Sequence, residues 1–268
     1  MCYYLIKNKN KGNKMRKDFA IERRGEILQL INRKGRVTVE ELIKKFGASG
    51  ATIRRDLESL ERQDLIKRAH GGALSKGRVS FEPDYFEEKE KFTTEKEGIG
   101  KEASKLIEEG EVIFLEASTT VLHLARNIKE KRNLTVITNS LDIARDLDRR
   151  GINLILTGGI LRRRTRALIG PLAEISLSQI RVDKVFVGIS AIDLSQGITA
   201  PTLEEAQTKK KISEVAHKVI ALADHSKFGK RNFASVAPIN SINILITDKG
   251  IPEETKKEIE KMGVEVRT

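Results

Sequence analysis

The chain contains no tryptophan, one cysteine, five prolines and four histidines in 268 residues, and aromatic residues make up only 4% of it. A lone thiol, Cys2, closes no intramolecular disulfide, so the fold has to be held by buried apolar side chains rather than by crosslinks. The four histidines and the cysteine stand at no metal-ligand spacing, and no metal is expected. No apolar run approaches the roughly 18 residues a membrane span requires, and no cleavable leader pattern is present. Neither a Gly-rich dinucleotide fingerprint nor a phosphate loop ending in Gly-Lys-Ser/Thr occurs, so no nucleotide cofactor is expected. These absences point to a soluble protein of a reducing compartment, the cytoplasm, with no membrane partner. The chain is long enough for about two domains at roughly 150 residues each.

What the sequence has in excess is positive charge, a net +12. The excess is confined to one end. Residues 1–80 hold 20 lysines and arginines against 9 acids, whereas residues 81–268 hold 30 against 29. Such asymmetry is the electrostatic footprint of a polyanion-binding module joined to a nearly neutral second domain. Residues 1–18 read as a basic arm, either a flexible tail or translation from a start upstream of Met15.

Residues 19–75 read as a winged helix-turn-helix. Ile27, Leu28 and Ile31 stand at helical spacing and Gly35 marks the stop. Thr38 with Glu41 forms a capping box, after which Val39, Leu42, Ile43 and Phe46 make one apolar stripe. Gly47 and Ala48 turn the chain to Ser49, an N-cap, and Ile53, Leu57 and Leu60 form the stripe of a third helix. With Ile53 inward, Ala51, Arg54, Arg55 and Glu58 face outward, and Thr52 lies at the flank. Arginines near a helix N-terminus suit the major groove, where a guanidinium bonds guanine O6 and N7. Leu65 to Arg68, a turn at His70-Gly71-Gly72 and a return through Ala73-Leu74 read as the wing. The expected DNA-binding residues are therefore Ser49, Ala51, Thr52, Arg54, Arg55, Arg68 and His70.

Residues 76–92 read as a linker, with Phe81, Tyr85 and Phe86 suggesting that part of it packs. Residues 93–268 alternate strand-like runs with helical periods. The runs are Val112–Leu115, Leu134–Ile137, Asn153–Leu156, Val185–Val187, Val219–Ala223, Ile242–Ile246 and Val264–Val266. That alternation predicts a parallel, Rossmann-like α/β domain, entered by a helix capped by Thr94 and Glu97 and closed by one framed by Pro252 and Gly263. Ligands of such sheets bind beyond the carboxyl ends of the strands. The residues there are small and polar: Glu116 to Thr120, Thr138 to Ser140, Thr157 to Gly159, Gly188 to Ser190 and Asp224 to Lys227. They predict one crevice in which hydroxyls and free amides hold a phosphate, with Lys227 or Lys209 supplying opposite charge. The same residue types also serve simply as caps and tight turns.

With those residues in view, the chain resembles the DeoR family of bacterial transcription regulators from about Met15 onward. Val37 to Leu42, Phe46 to Ser49, Ala51 to Leu57 and His70 to Ala73 are similar to the family's N-terminal signature. Thr138 to Ser140, Thr157 to Gly159, Gly170-Pro171, Glu204-Glu205, Ala223 to Gly229 and Ile246 to Asp248 are similar to its effector domain. The resemblance implies a DNA reader joined to a sensor related to sugar-phosphate isomerases. It implies a repressor of a carbohydrate operon, working as a homo-oligomer on double-stranded operator DNA and released by a phosphorylated sugar or related metabolite. The implied effector residues are Glu116, Ser118, Thr119, Thr120, Asn139, Ser140, Gly158, Gly159, Ser190, Lys209, Asp224 and Lys227. The family loop usually reads Asp-Ala-Gly-Thr-Thr, whereas this chain has Glu116-Ala117-Ser118-Thr119-Thr120, which crowds the pocket; Asp64 stands where glycine is usual. Two rival readings remain: an isomerase-like enzyme using Glu116, Asp183, Asp224 or His225 as acid or base, and a binder of structured RNA.

Overall fold

The computed structural model describes residues 20–31, 34–63, 65–69, 71–75, 85–129, 131–148 and 150–268. The chain divides into two compact units, with the boundary between Phe81 and Glu82.

In the first unit a helix over residues 20–31 (α1) ends where the Gly35 N–H bonds the Ile31 carbonyl. It is followed by strand β1 (Arg36–Thr38), helices α2 (Val39–Phe46) and α3 (Gly50–Arg62), and strands β2 (Ile66–Ala69) and β3 (Gly72–Ser75). The capping box forms as expected, with Thr38 and Glu41 bonding each other's main-chain N–H groups. Gly47 closes α2 in the left-handed conformation (φ +61°), and the Ser49 hydroxyl accepts from the Thr52 N–H. Ile27, Ile31, Val37, Leu42, Ile53, Leu57 and Leu60 bury one shared core. The sheet order β1-β3-β2 adds a strand beyond the expected hairpin. It exists because position 72 is glycine: a Cβ there would lie 2.1 Å from the Val37 carbonyl oxygen.

The second unit begins before the expected boundary at residue 93. Helix α4 (Tyr85–Glu90), read from sequence as linker, belongs to it, with Tyr85 buried. Phe81 and the Phe86 side chain lie outside the described residues. Helix α5 (Thr93–Ser104) starts after Phe92, which adopts φ +52° and offers no side-chain cap, so the expected Thr94–Glu97 cap is not the one formed. There follow β4 (Val112–Leu115), α6 (Thr119–Asn127), β5 (Thr135–Thr138), α7 (Leu141–Asp148), β6 (Asn153–Leu156), β7 (Ile160–Arg162), β8 (Ala167–Ile169) and α8 (Pro171–Ser178). The chain continues through β9 (Val182–Gly188), β10 (Ala191–Asp193), β11 (Gly197–Ala200), α9 (Leu203–Glu214), β12 (Ala216–Leu222), β13 (Ala234–Ala237), β14 (Ile244–Ile246), α10 (Glu253–Lys261) and β15 (Glu265–Arg267). Pro252 is the N-cap of α10 rather than its first residue.

All seven expected strands join one parallel sheet, in the order β15-β14-β12-β9-β4-β5-β6. Alternate residues feed opposite layers. Ile113, Leu115, Phe186 and Leu222 pack under α5, α6 and α7, while Phe114, Val185, Ala221 and Leu245 pack under α8, α9 and α10. From β4 the chain winds outward to β6, then returns to the other side of β4 to lay down β9. The strand order therefore reverses between β4 and β9, which is where open α/β sheets leave a crevice. The antiparallel pair β7–β8 and the sheet β10-β11-β13 were not expected from sequence.

Candidate functional site

In the first unit the stripe of α3 turns Ile53, Leu57 and Leu60 inward and leaves Ala51, Arg54 and Arg55 exposed, with Thr52 half-buried. Neither arginine has an ion-pair partner among the described residues, in contrast to the buried Asp56 of the same helix. That carboxylate faces α1 and accepts from Arg23 Nε at 2.6 Å, so it fixes the helix instead of opposing its basic face. Arg68, expected at the nucleic-acid surface, is tied to α3: its Nη1 donates to Glu58 Oε1 at 3.2 Å and its main-chain N–H to Glu61 Oε1 at 2.9 Å. It orients the wing. His70 and Asp64 lie outside the described residues.

In the second unit a small crevice, partly open to solvent, sits above the β4 and β5 carboxyl ends; the hairpin β7–β8 and α9 contribute to its walls. Arg162, Thr165, Glu205 and Thr208 line it together with Glu116 and Asn139. Of the twelve effector residues expected from sequence, therefore, Glu116 and Asn139 line it and the other ten do not.

Glu116 and Lys209 form a buried pair at the switch point. Lys209 Nζ donates to Glu116 Oε1 at 2.7 Å and to the Gly188 carbonyl at 2.8 Å, while the Gly188 N–H donates to Glu116 Oε2 at 3.1 Å. Burial pushes the Glu116 carboxyl upward, with Lys209 opposing it. Lys209 is thereby neutralised inside the fold and does not present free charge to the crevice as expected. Ser190 Oγ donates to Glu205 Oε1 at 3.0 Å, and Arg162 Nη1 lies 3.8 Å from Glu205 Oε2, so both set the wall carboxylate in place.

The remaining loop residues do local structural work. Ser118 caps α6 by accepting from the Thr120 N–H, and Ser140 caps α7 by accepting from the Ile143 N–H. Thr119 and Thr120 form the first turn of α6, with Thr120 buried. Asn139 spans two loops: its Oδ1 accepts from the Ala117 N–H and its main-chain carbonyl accepts from the Leu168 N–H, joining the β4 loop to the hairpin. Gly158 and Gly159 adopt φ +70° and +119° and start the hairpin; a Cβ on Gly159 would meet the Ile169 carbonyl at 2.7 Å.

Asp224 and Lys227 belong to a different group of side chains. Asp224 is fully buried and caps a short 3-10 turn through the Ser226 N–H, and Lys227 Nζ donates to Glu88 Oε2 of α4 at 2.8 Å. The expected single crevice is thus two polar clusters.

Sequence reasoning singles out Glu205 only within the family pair Glu204-Glu205, and Arg162, Thr165, Thr208 and Glu88 were not expected from sequence. The three consecutive arginines at 162–164 were the available signal for the hairpin; α4 is too short for a readable period, and its signal was the aromatic Tyr85, whose burial agrees with the expected packing of part of that segment.

A winged helix-turn-helix with an unopposed basic face on its third helix, covalently joined to a doubly wound sheet with a crevice at its switch point, defines a two-domain transcription regulator. Residues 23–78 match the DeoR-like helix-turn-helix domain and residues 91–249 the DeoR C terminal sensor domain. The chain belongs to the DeoR family. It is 38% identical over 245 residues to the HTH-type transcriptional regulator GlpR of Haloferax volcanii, a match covering 91% of this chain and 96% of that one. It is 35% identical over 248 residues to a putative aga operon transcriptional repressor of Escherichia coli O157:H7, covering 91% and 92%. Among solved structures, ribose 5-phosphate isomerase A of Methanocaldococcus jannaschii matches with a TM-score of 0.37 and 20% identity, over 50% of this chain and 53% of that chain.

The protein is a DNA-binding transcription regulator and not an enzyme. Of the groups weighed as acid or base, Asp183 accepts from the Val112 N–H at 2.8 Å, and His225 Nδ1 pairs with Asp248 Oδ2 at 2.9 Å. Among the described residues no helix is long and apolar enough to cross a membrane.

Proposed function

We propose that this protein is a cytoplasmic repressor of a carbohydrate operon, working as a dimer or tetramer on operator DNA and released by a phosphorylated sugar or related metabolite. The observation that carries the DNA half is the exposed, ion-pair-free Arg54 and Arg55 on α3. They fit base edges in the major groove, Ala51 permits close approach, and Ser49 and Thr52 at the N-terminus of the helix fit phosphate. Arg68 holds the wing, and His70 is assigned to a phosphate or groove contact there. Two half-sites one helical turn apart require at least two copies of this unit.

The sensor half is supported by the polar crevice at the switch point, lined by Glu116, Asn139, Arg162, Thr165 and Glu205, and by the cationic cluster around Lys227. The names of the relatives, among them an operon repressor, support the direction of control. An effector alters DNA affinity only by its differential affinity for two states of the protein, so the proposal requires a bistable element between the two sites. A gel shift with duplex from upstream of the protein's own gene, challenged with a panel of pentose and hexose phosphates, tests it. Release by one sugar phosphate but not by its unphosphorylated sugar is expected; a shift unaffected by every member contradicts the effector assignment.

A further inference from the structure

Helix α4 is the first described element after the residues that join the two units, and two polar ties hold it to the sensor. At its start the Tyr85 hydroxyl donates to Asp142, whose carboxylate also takes a paired bond from Arg166 at 3.2 and 3.3 Å. Arg166 lies on the β7–β8 turn, beside the crevice residues Thr165 and Ala167. At its end Glu88 is gripped by three lysines. Lys227 Nζ donates to Oε2 at 2.8 Å, Lys91 Nζ to Oε1 at 2.9 Å, and the Nζ of Lys96 to the Glu88 main-chain carbonyl.

Lys96 is only 1% exposed, and a neutral carbonyl is its closest acceptor. Burial, reinforced by the Lys227 charge, pulls its ammonium down to about 8. The cluster is thus short of negative charge: three ammoniums face two carboxylates, Glu88 and an Asp224 oxygen 3.9 Å from Lys227 Nζ. Remove Glu88 and the remainder is two charges positive, which a phosphate of about −2 matches.

We propose that Glu88 is a tethered stand-in for the phosphate group of the effector, so that effector binding expels it and frees α4. The inference rests on the effector reading above and supplies the bistable element that reading requires. A helix of six residues has negligible stability of its own. Only Tyr85 among its described side chains is buried, so its position depends on the two ties.

The test is amide hydrogen exchange across residues 85–92 of the full chain, with calorimetry, using inorganic phosphate as probe against chloride of equal ionic strength. In the wild type phosphate should accelerate exchange in α4. In Glu88→Gln exchange should be fast without phosphate, and phosphate should bind roughly fivefold or more tightly, the low end of usual coupling factors. Lys227→Gln should show fast exchange and no response to phosphate. Phosphate that binds while α4 stays protected, a Glu88→Gln protein that binds no more tightly, or no phosphate binding in either protein each overturns the proposal. Failure of the effector reading shows elsewhere, as sugar phosphates that leave the wild type on its duplex whatever α4 does.

Discussion

Gly188 and Ser118 occupy adjoining space across the strand-order reversal: a Cβ on Gly188 would lie 2.0 Å from Ser118 Oγ and 2.3 Å from its Cβ. The serine that replaces the usual glycine of this loop is accommodated because position 188 carries no side chain. Gly188→Ala should destabilise the sensor unit by about 1–3 kcal/mol in denaturant titrations, and Ser118→Gly in the same chain should restore most of the loss. The Glu116–Lys209 pair beside it behaves differently. Lys209→Met strands a buried carboxylate, which should cost about 3–5 kcal/mol at neutral pH. Because burial already raises that carboxyl, the uncharged acid is the tolerated form, so the loss should shrink as pH falls from 8 to 5. A pH-independent loss would mean that packing, not charge, was removed.

The elements were legible in proportion to their length and to the clarity of their period. Helices α2 and α3 announced themselves through Thr38, Glu41, Gly47 and Ser49, whose chemistry is local, and the seven parallel strands through short apolar runs, buried on both faces at the centre of the sheet and partly exposed at its edges β6 and β15. The β7–β8 hairpin and β1 are three-residue strands, too short for an alternation of faces to show, and β1 in addition pairs with a strand distant in sequence. The crevice wall was missed for that reason, and Lys227 was read as facing the crevice because α4, its actual neighbour, looked like linker. One signal was present unread: Lys96 shares a helical face with Ile99 and Ala103, a charge at a core position. For the wing, Gly72→Ala drives a Cβ into the Val37 carbonyl and should part β1 from β3. The expected result is about 1–3 kcal/mol lost from the first unit, with DNA binding reduced in step and the melting of the second unit unchanged.

At the scale of the whole molecule, charge is divided by task. Nearly all the positive excess lies in residues 1–80, and in the sensor the important charges are buried and paired. The pairing around α4 makes the sensor acid-sensitive. Burial raises the Glu88 carboxyl, but Lys227 and Lys91 outweigh it and hold the group at about 2. A depressed carboxyl stabilises the fold above its unfolded value of 4.5, and that contribution is lost as pH falls toward 2. Wild type should therefore lose more thermal stability than Glu88→Gln between those pH values, and equal losses would deny the ion pairing. In the proposed function, α3 grips a duplex through Arg54 and Arg55. Fluorescence anisotropy across a salt series, on duplex from upstream of the gene and on a scrambled duplex, measures it most directly. A steep fall in affinity with salt is expected, with a preference for the upstream duplex and a loss of about 1–3 kcal/mol of that preference in Arg54→Ala or Arg55→Ala. Equal binding of both duplexes by wild type and variants would contradict it.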